Sequence, residues 1–241
     1  MKELFKREIG YAFYKTVPVM CGYIFLGIAF GISLGEAGYN WIWALLMSAV
    51  VYAGSLQFVM IPLLASNVSV MTMALTALFV NCRHIFYGLS FVESFQKMKQ
   101  KLYMIFTLTD ETYSVLCGCK HEDPDENHRD GWFFITLIDH SYWIVGSVIG
   151  AWLGNLLPFD FTGIDFSMTA LFIVILLEQM LSGKADAKVA AVLGLVVGTG
   201  SLLVLGVDNF LLPALLMTVF LLSAYSATAK KYEKKEGVHH G

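Results

Sequence analysis

Long apolar runs separated by short polar breaks make up most of the chain. The runs fall near residues 16–34, 41–64, 68–91, 102–119, 132–157, 166–181, 189–206 and 210–229. A helix crossing the roughly 30 Å hydrocarbon core of a bilayer needs about 20 mostly apolar residues, each adding about 1.5 Å. The pattern therefore predicts an all-α integral membrane protein, a polytopic bundle of eight transmembrane helices. The alternative is seven, if 102–119 dips in without crossing. The connections are short apart from KHEDPDENHRDG at 120–131, an acidic stretch expected as a solvated loop. The stretch KKYEKKEGVHHG at 230–241 is expected as a polar tail. These runs leave no soluble catalytic domain, so function is expected within the membrane part, a single transporter domain over 1–241.

The pattern repeats. Residues 23–35 read YIFLGIAFGISLG and residues 142–154 read YWIVGSVIGAWLG. Both are Tyr-x-x-x-Gly-x-x-x-Gly-x-x-x-Gly, offset by 119 residues. Glycines four apart share one helix face and let another backbone approach closely. Gly27, Gly31 and Gly35 form one stripe; Gly146, Gly150 and Gly154 form the other. The expected halves are 1–119 and 120–229, parallel repeats with eight spans and inverted with seven. The same offset sets Asn81 against Gly200 in GTGS, so interrupted helices are expected there.

Composition strengthens the membrane reading. The chain of 241 residues is 57% hydrophobic and 15% charged, with a mean hydropathy of +0.65. Soluble domains carry about 25% charged residues. The net charge is −3, with no basic block suited to nucleic acid. Cys21, Cys82, Cys117 and Cys119 include no C-x-x-C pair and are expected as reduced thiols. MKELFKREIGYAFYK is basic and precedes an apolar run too long for a signal-peptide core, so a retained first helix is expected. With eight spans, Lys and Arg split twelve against three, which places both termini in the cytoplasm. With seven, the split is eleven against four, and the C-terminus is again cytoplasmic.

Several polar residues interrupt the oil. A charge at mid-bilayer costs about 2.5–3.5 kcal/mol on insertion scales, so such residues want partners or a water-filled cavity. Segment 2 carries Gly54, Ser55 and Gln57 in AGSLQF. Segment 3 carries Asn81, Arg83 and His84. Segment 4 has Asp110 and Glu111 near its centre, and segment 5 has Asp139 and His140. Glu178 and Gln179 lie near a helix end, where interfacial solvation accounts for them. Arg83 can snorkel to the interface, and His84 and His140 can simply bond to neighbouring helices. On a regular helix Arg83 lies about 160° from Asn81, while His84 is about 60° from it. The third helix is therefore expected either to be enclosed by protein or to unwind near Asn81, in the core of the bundle.

At these residues the sequence resembles the AzlC family (also called YgaZ), the larger subunit of branched-chain amino acid exporters. The likeness rests on YAGSLQF at 52–58, NCRHIFYGLS at 81–90, LTDETYS at 108–114 and YWIVGSVIGAWLG at 142–154. It implies a bacterial inner-membrane protein exporting leucine, isoleucine, valine and also methionine. It also implies a small AzlD-type (YgaH-type) membrane subunit as partner. No cofactor is expected.

The ligand would be a zwitterion with an apolar side chain. Its carboxylate needs a cation or free backbone N–H groups, and its ammonium needs carboxylates or carbonyls. Arg83 suits the carboxylate; Asp110, Glu111 or Asp139 suit the ammonium. Gly54 and Ser55 can open backbone groups, with Gln57 and Asn81 as neutral donors. His84, His140 and the carboxylates suit coupling to protons. Two other classes use the same residues. Divalent-metal transport would use Asp110, Glu111, Asp139, His84 and His140, against the opposing charge of Arg83. An intramembrane serine hydrolase would pair Ser55 with His84 or His140, although Leu56 breaks the rhomboid-like G-x-S-G pattern.

Overall fold

The computed structural model describes residues 2–66, 68–96, 98–122, 129–156, 165–181, 185–206 and 210–236. The described residues form eleven helices and no strand. Four follow the apolar runs closely: α1 (Lys2–Glu36), α4 (Val70–Ser90), α8 (Arg129–Leu156) and α10 (Ala185–Leu205). Each contains a stretch long and apolar enough to cross a membrane. The sixth and eighth runs form α9 (Asp165–Leu181) and α11 (Leu211–Glu236). The stretch expected as a tail is thus helical through Glu236. Of the expected acidic loop, 120–122 and 129–131 are helical and 123–128 lie outside the described residues. All four cysteines are free thiols, and only Cys119 is fully buried.

Two runs do not form single helices. Run 41–64 is split into α2 (Trp41–Val50) and α3 (Gly54–Ala65). Run 102–119 is split into α6 (Lys101–Phe106) and α7 (Asp110–Glu122), and α5 (Val92–Gln96) precedes them. The expected interruptions at Asn81 and Gly200 are absent, since both residues lie inside continuous helices. A glycine spaced for packing does not by itself break a helix, and Asn81 keeps its backbone in the α4 ladder.

The chain divides into two compact units. One contains residues 1–69 and 80–168; the other contains 70–79 and 169–241. In the second unit α10 packs on α11. In the first, α1 and α8 form the central pair, joined along the two glycine stripes. A Cβ on Gly31 would lie 2.1 Å from the Ser147 carbonyl oxygen, and one on Gly150 would lie 2.1 Å from that of Ile28. Gly27 faces Gly146 and Ser147 in the same way, with a Cβ position 3.0 Å from the Ser147 nitrogen. Only glycine lets two backbones come this near, and in lipid such packing replaces the hydrophobic drive of water. The stripes meet in register, low numbers with low and high with high, so α1 and α8 run in the same direction.

Two apolar clusters lie along this pair. Val19, Tyr23, Phe30, Leu34, Tyr52, Phe58 and Trp143 belong to one. Ala12, Phe91, Met104, Leu108, Leu116, Trp132 and Ile135 belong to the other. On α8 the residues between Ile135 and Trp143 include Thr136, Asp139 and His140, all buried. A polar layer is thus held between two apolar ones.

Candidate functional site

Both helix breaks meet this polar layer. At the first, the backbone N–H groups of Val51 and Tyr52 both donate to the Met47 carbonyl, at 2.9 and 3.2 Å, which closes α2. Tyr52 then takes a left-handed backbone, φ 40°, unusual for a bulky residue and a form of strain found at functional sites. Helix α3 starts with Ala53 at its cap and no side chain capping it. Gly54 follows because a Cβ there would sit 3.1 Å from the Trp143 ring. At the second break, Thr107 folds back on the Tyr103 carbonyl through both its N–H (2.9 Å) and its hydroxyl (2.8 Å). Thr109 caps α7 by accepting from the Thr112 N–H at 3.4 Å. Asp110 and Glu111 occupy the first turn of α7, where the helix dipole favours negative charge.

From these positions the side chains converge. The Tyr23 hydroxyl of α1 donates to Glu111 Oε2 at 2.8 Å and shares a hydrogen bond with Thr109 Oγ1 at 2.5 Å. Thr109 Oγ1 donates to Thr112 Oγ1 at 3.2 Å, and Thr112 Oγ1 donates to Asp139 Oδ2 at 2.8 Å. Asp139 is fully buried, and its other oxygen, Oδ1, has no hydrogen-bond partner. The buried Tyr52 hydroxyl makes no hydrogen bond of good geometry, although those of Tyr23 and Thr112 lie close to it, as do the charges of Asp139 and Glu111. An orphaned carboxylate oxygen and a poorly satisfied hydroxyl in one buried layer are costly unless something fills the space they face.

His140 lies beside them with its ring 4.2 Å from that of Tyr52. Its Nδ1 pairs with the Tyr103 hydroxyl at 2.8 Å and its Nε2 with the Ser48 carbonyl at 3.1 Å. Both nitrogens are engaged, so His140 is not the base of a Ser55 dyad. Ser55 is buried at the start of α3. Gln57 accepts from Trp143 Nε1 at 2.9 Å and donates to Ser48 Oγ at 3.4 Å. It therefore ties the two sides of the first break together and is not a spare donor.

The α4 residues form a neighbouring group. Tyr87 donates to Asp110 Oδ1 at 2.5 Å and stacks on Tyr113, with ring centres 4.5 Å apart. The His84 ring lies 5.7 Å from that of Tyr87, and its Nδ1 contacts the Asn81 carbonyl at 3.2 Å. The Asn81 side-chain oxygen is buried and unpartnered. The rest of this stretch is not enclosed, since Ile85 and Leu89 are largely exposed. The expectation that α4 lies in the bundle core is thus corrected. Among its described side chains here, Asn81, Cys82, His84 and Tyr87 are half-buried. The side chains of Arg83, Glu178 and Gln179 lie outside the described residues.

The structure therefore unites Glu111 and Asp139, places His140 at their edge, and puts Asp110 with the α4 group. Adjacent carboxylates on α7 point to different partners, as a 100° step requires. Tyr23, Tyr52, Tyr87, Tyr103, Thr109 and Thr112 were missed. Their one legible signal was Thr109 before Asp-Glu, the pattern of a helix start. Among the described residues, no group of three His, Cys, Asp or Glu side chains stands close enough to hold a metal ion.

These features define an α-helical integral membrane protein with a carboxylate-bearing polar layer at its broken helices. The family model described as "AzlC protein" matches residues 18–157, which include every candidate site residue. The Branched-chain amino acid transport protein AzlC of Bacillus subtilis (strain 168) is 37% identical over 93% of this chain and 87% of its own length. An uncharacterized membrane protein of Helicobacter pylori (strain J99) is 38% identical over 88% of this chain and 92% of its own length. The Inner membrane protein YgaZ of Escherichia coli (strain K12) is 29% identical over 76% of this chain and 78% of its own length. The chain belongs to the AzlC family. No solved structure matches it.

Proposed function

We propose that this chain is the large subunit of a secondary transporter that exports leucine, isoleucine and valine, with methionine as a further substrate. Transport is coupled to protons and needs a small AzlD/YgaH-type membrane subunit. The protein resides in the bacterial inner membrane with its C-terminus in the cytoplasm. The observation that carries the substrate class is the buried Asp139 Oδ1, unpartnered beside the Tyr52 hydroxyl at a helix break. A primary ammonium brings three donors and a positive charge, which is what these oxygens lack. Discontinuous helices supply free backbone groups around such sites in transporters. Arg83, on the helix that brings Tyr87 to Asp110, takes the carboxylate in this reading. The family and the Bacillus relative's name supply the apolar side chain.

The test is export of labelled leucine from cells making this chain with its small subunit, at matched protein levels. Asp139→Asn keeps an acceptor for Thr112 but removes the charge, and should cut export by about 100-fold, in the range of a lost charge-assisted hydrogen bond. Arg83→Lys should export weakly, because lysine keeps the charge and loses the planar fork, and Arg83→Gln should fail. Wild-type export by Asp139→Asn would remove Asp139 from the substrate site. Full export by this chain without the small subunit would remove the partner.

A further inference from the structure

The bonds from Glu111 to Asp139 form one unbroken line of oxygens: Glu111 Oε2, Tyr23 hydroxyl, Thr109 Oγ1, Thr112 Oγ1, Asp139 Oδ2. Its four links measure 2.8, 2.5, 3.2 and 2.8 Å. Three helices and one helix break contribute to it, so local geometry within one element does not produce it. One end, Glu111, is half-buried, and the other, Asp139, is fully buried. We infer that Tyr23, Thr109 and Thr112 conduct protons between Glu111 and Asp139.

Each hydroxyl has one hydrogen to give and can accept one in return, so the line can point either way. With Glu111 protonated and Asp139 ionised, Glu111 donates to Tyr23, Tyr23 to Thr109, Thr109 to Thr112 and Thr112 to Asp139. Each donor then passes its hydrogen forward. Four O–H bonds break and four form, Glu111 ends ionised, and Asp139 ends protonated. No other reactant is consumed. Afterwards every donor points back toward Glu111; in the structure Tyr23 donates to Glu111 while Thr109 and Thr112 donate toward Asp139, so both carboxylates accept and the line turns over at the Tyr23–Thr109 link. The groups around Asp139 are Glu111 and Thr112 from α7, Tyr23 from α1, Tyr52 from the first break and His140 on α8 itself. Among them, the Tyr52 hydroxyl lies close to both Tyr23 and Thr112 and offers a way past Thr109, while Tyr23 and Thr112 remain on either path. His140 has both nitrogens bonded elsewhere. The inference rests on the transport reading only for its use: a proton reaching Asp139 would displace the ammonium held there.

The test reads the relay without substrate. In the protein reconstituted in phospholipid vesicles, a pH jump is followed by time-resolved infrared absorption of the protonated Asp139 carboxyl, assigned by its loss in Asp139→Asn. Thr112→Val keeps the shape and removes the hydroxyl, and should slow the band by about tenfold or more, the effect of removing one hydrogen bond from the path. Thr112→Ser restores the hydroxyl and should run within about twofold of wild type. Tyr23→Phe breaks the line from another helix and should slow it as Thr112→Val does. A wild-type rate in either broken variant overturns the relay. So does a Thr112→Ser variant as slow as Thr112→Val, or the lack of any Asp139 band. Leucine counterflow by the wild-type protein is measured separately; its absence would overturn the transport reading and leave the infrared result standing.

Discussion

Glycines on α1 and α8 stand where any side chain would strike the other helix, at 2.1 Å for Gly31 and for Gly150. Glycines on α10, in the second unit, have the same kind of spacing and the opposite surroundings. A Cβ on Gly194, Gly198 or Gly200 would meet nothing within 4 Å. Beside them Lys188, Val189, Val192, Leu193 and Val196 line an apolar hollow of about 460 Å³. Val196, Leu203 and Val204 are largely exposed. The contrast teaches that a small-residue stripe records permission for close approach, and only a facing partner turns permission into packing. The α1–α8 stripes have each other, and the polar layer sits on the helices they lock together.

Substitution at Gly31 should give the largest change. Gly31→Ala or Gly150→Ala forces the two backbones apart, and a loss above about 4 kcal/mol is expected, as for severe overpacking. Membrane yield and the melting temperature in detergent measure it; a variant as stable as wild type would show that the pair is loosely seated. Gln57→Leu comes next. It leaves the Trp143 N–H buried without an acceptor, a cost of about 1–3 kcal/mol in the same melting assay. A neutral result would mean that Gln57 does not hold the first break closed. Gly198→Ala should give the smallest change, within about 1 kcal/mol and toward greater stability, because the site is open and alanine favours helix. A large loss there would reveal a neighbour on α10 and erase the contrast.

The apolar runs were legible because a membrane helix must satisfy its backbone internally and face lipid over some 20 residues. All eight predicted runs coincide with helical stretches. Hydropathy did not place the two breaks, because it sums side chains over a window and is blind to the backbone; Gly54 and Ser55 were the one hint of opened backbone at the first. Run 41–64 carries its few small and polar residues, Ser48, Gly54, Ser55 and Gln57, around Tyr52, yet tyrosine is a residue from which no left-handed turn is expected. The second break did carry its signal in Thr109-Asp110-Glu111, a capped and acidic helix start submerged in a hydrophobic run. Asp139 and His140 stood out as polar groups in oil, and both are buried in the polar layer. The tyrosine hydroxyls did not stand out, since tyrosine is ordinary in membrane segments and only the fold aims its oxygen. The glycines of the two repeated stretches form the two faces of one contact.

That contact also fixes a parity. Two helices that cross a bilayer in the same direction must have an odd number of crossings between them. Between α1 and α8 lie three apolar stretches: α2 with α3, α4, and α6 with α7. With α4 crossing, the two broken stretches either both cross or both turn back, because one of each would reverse α8 against α1. Thus Gly31 and Gly150, which touch neither break, tie the paths of both through the membrane to one another.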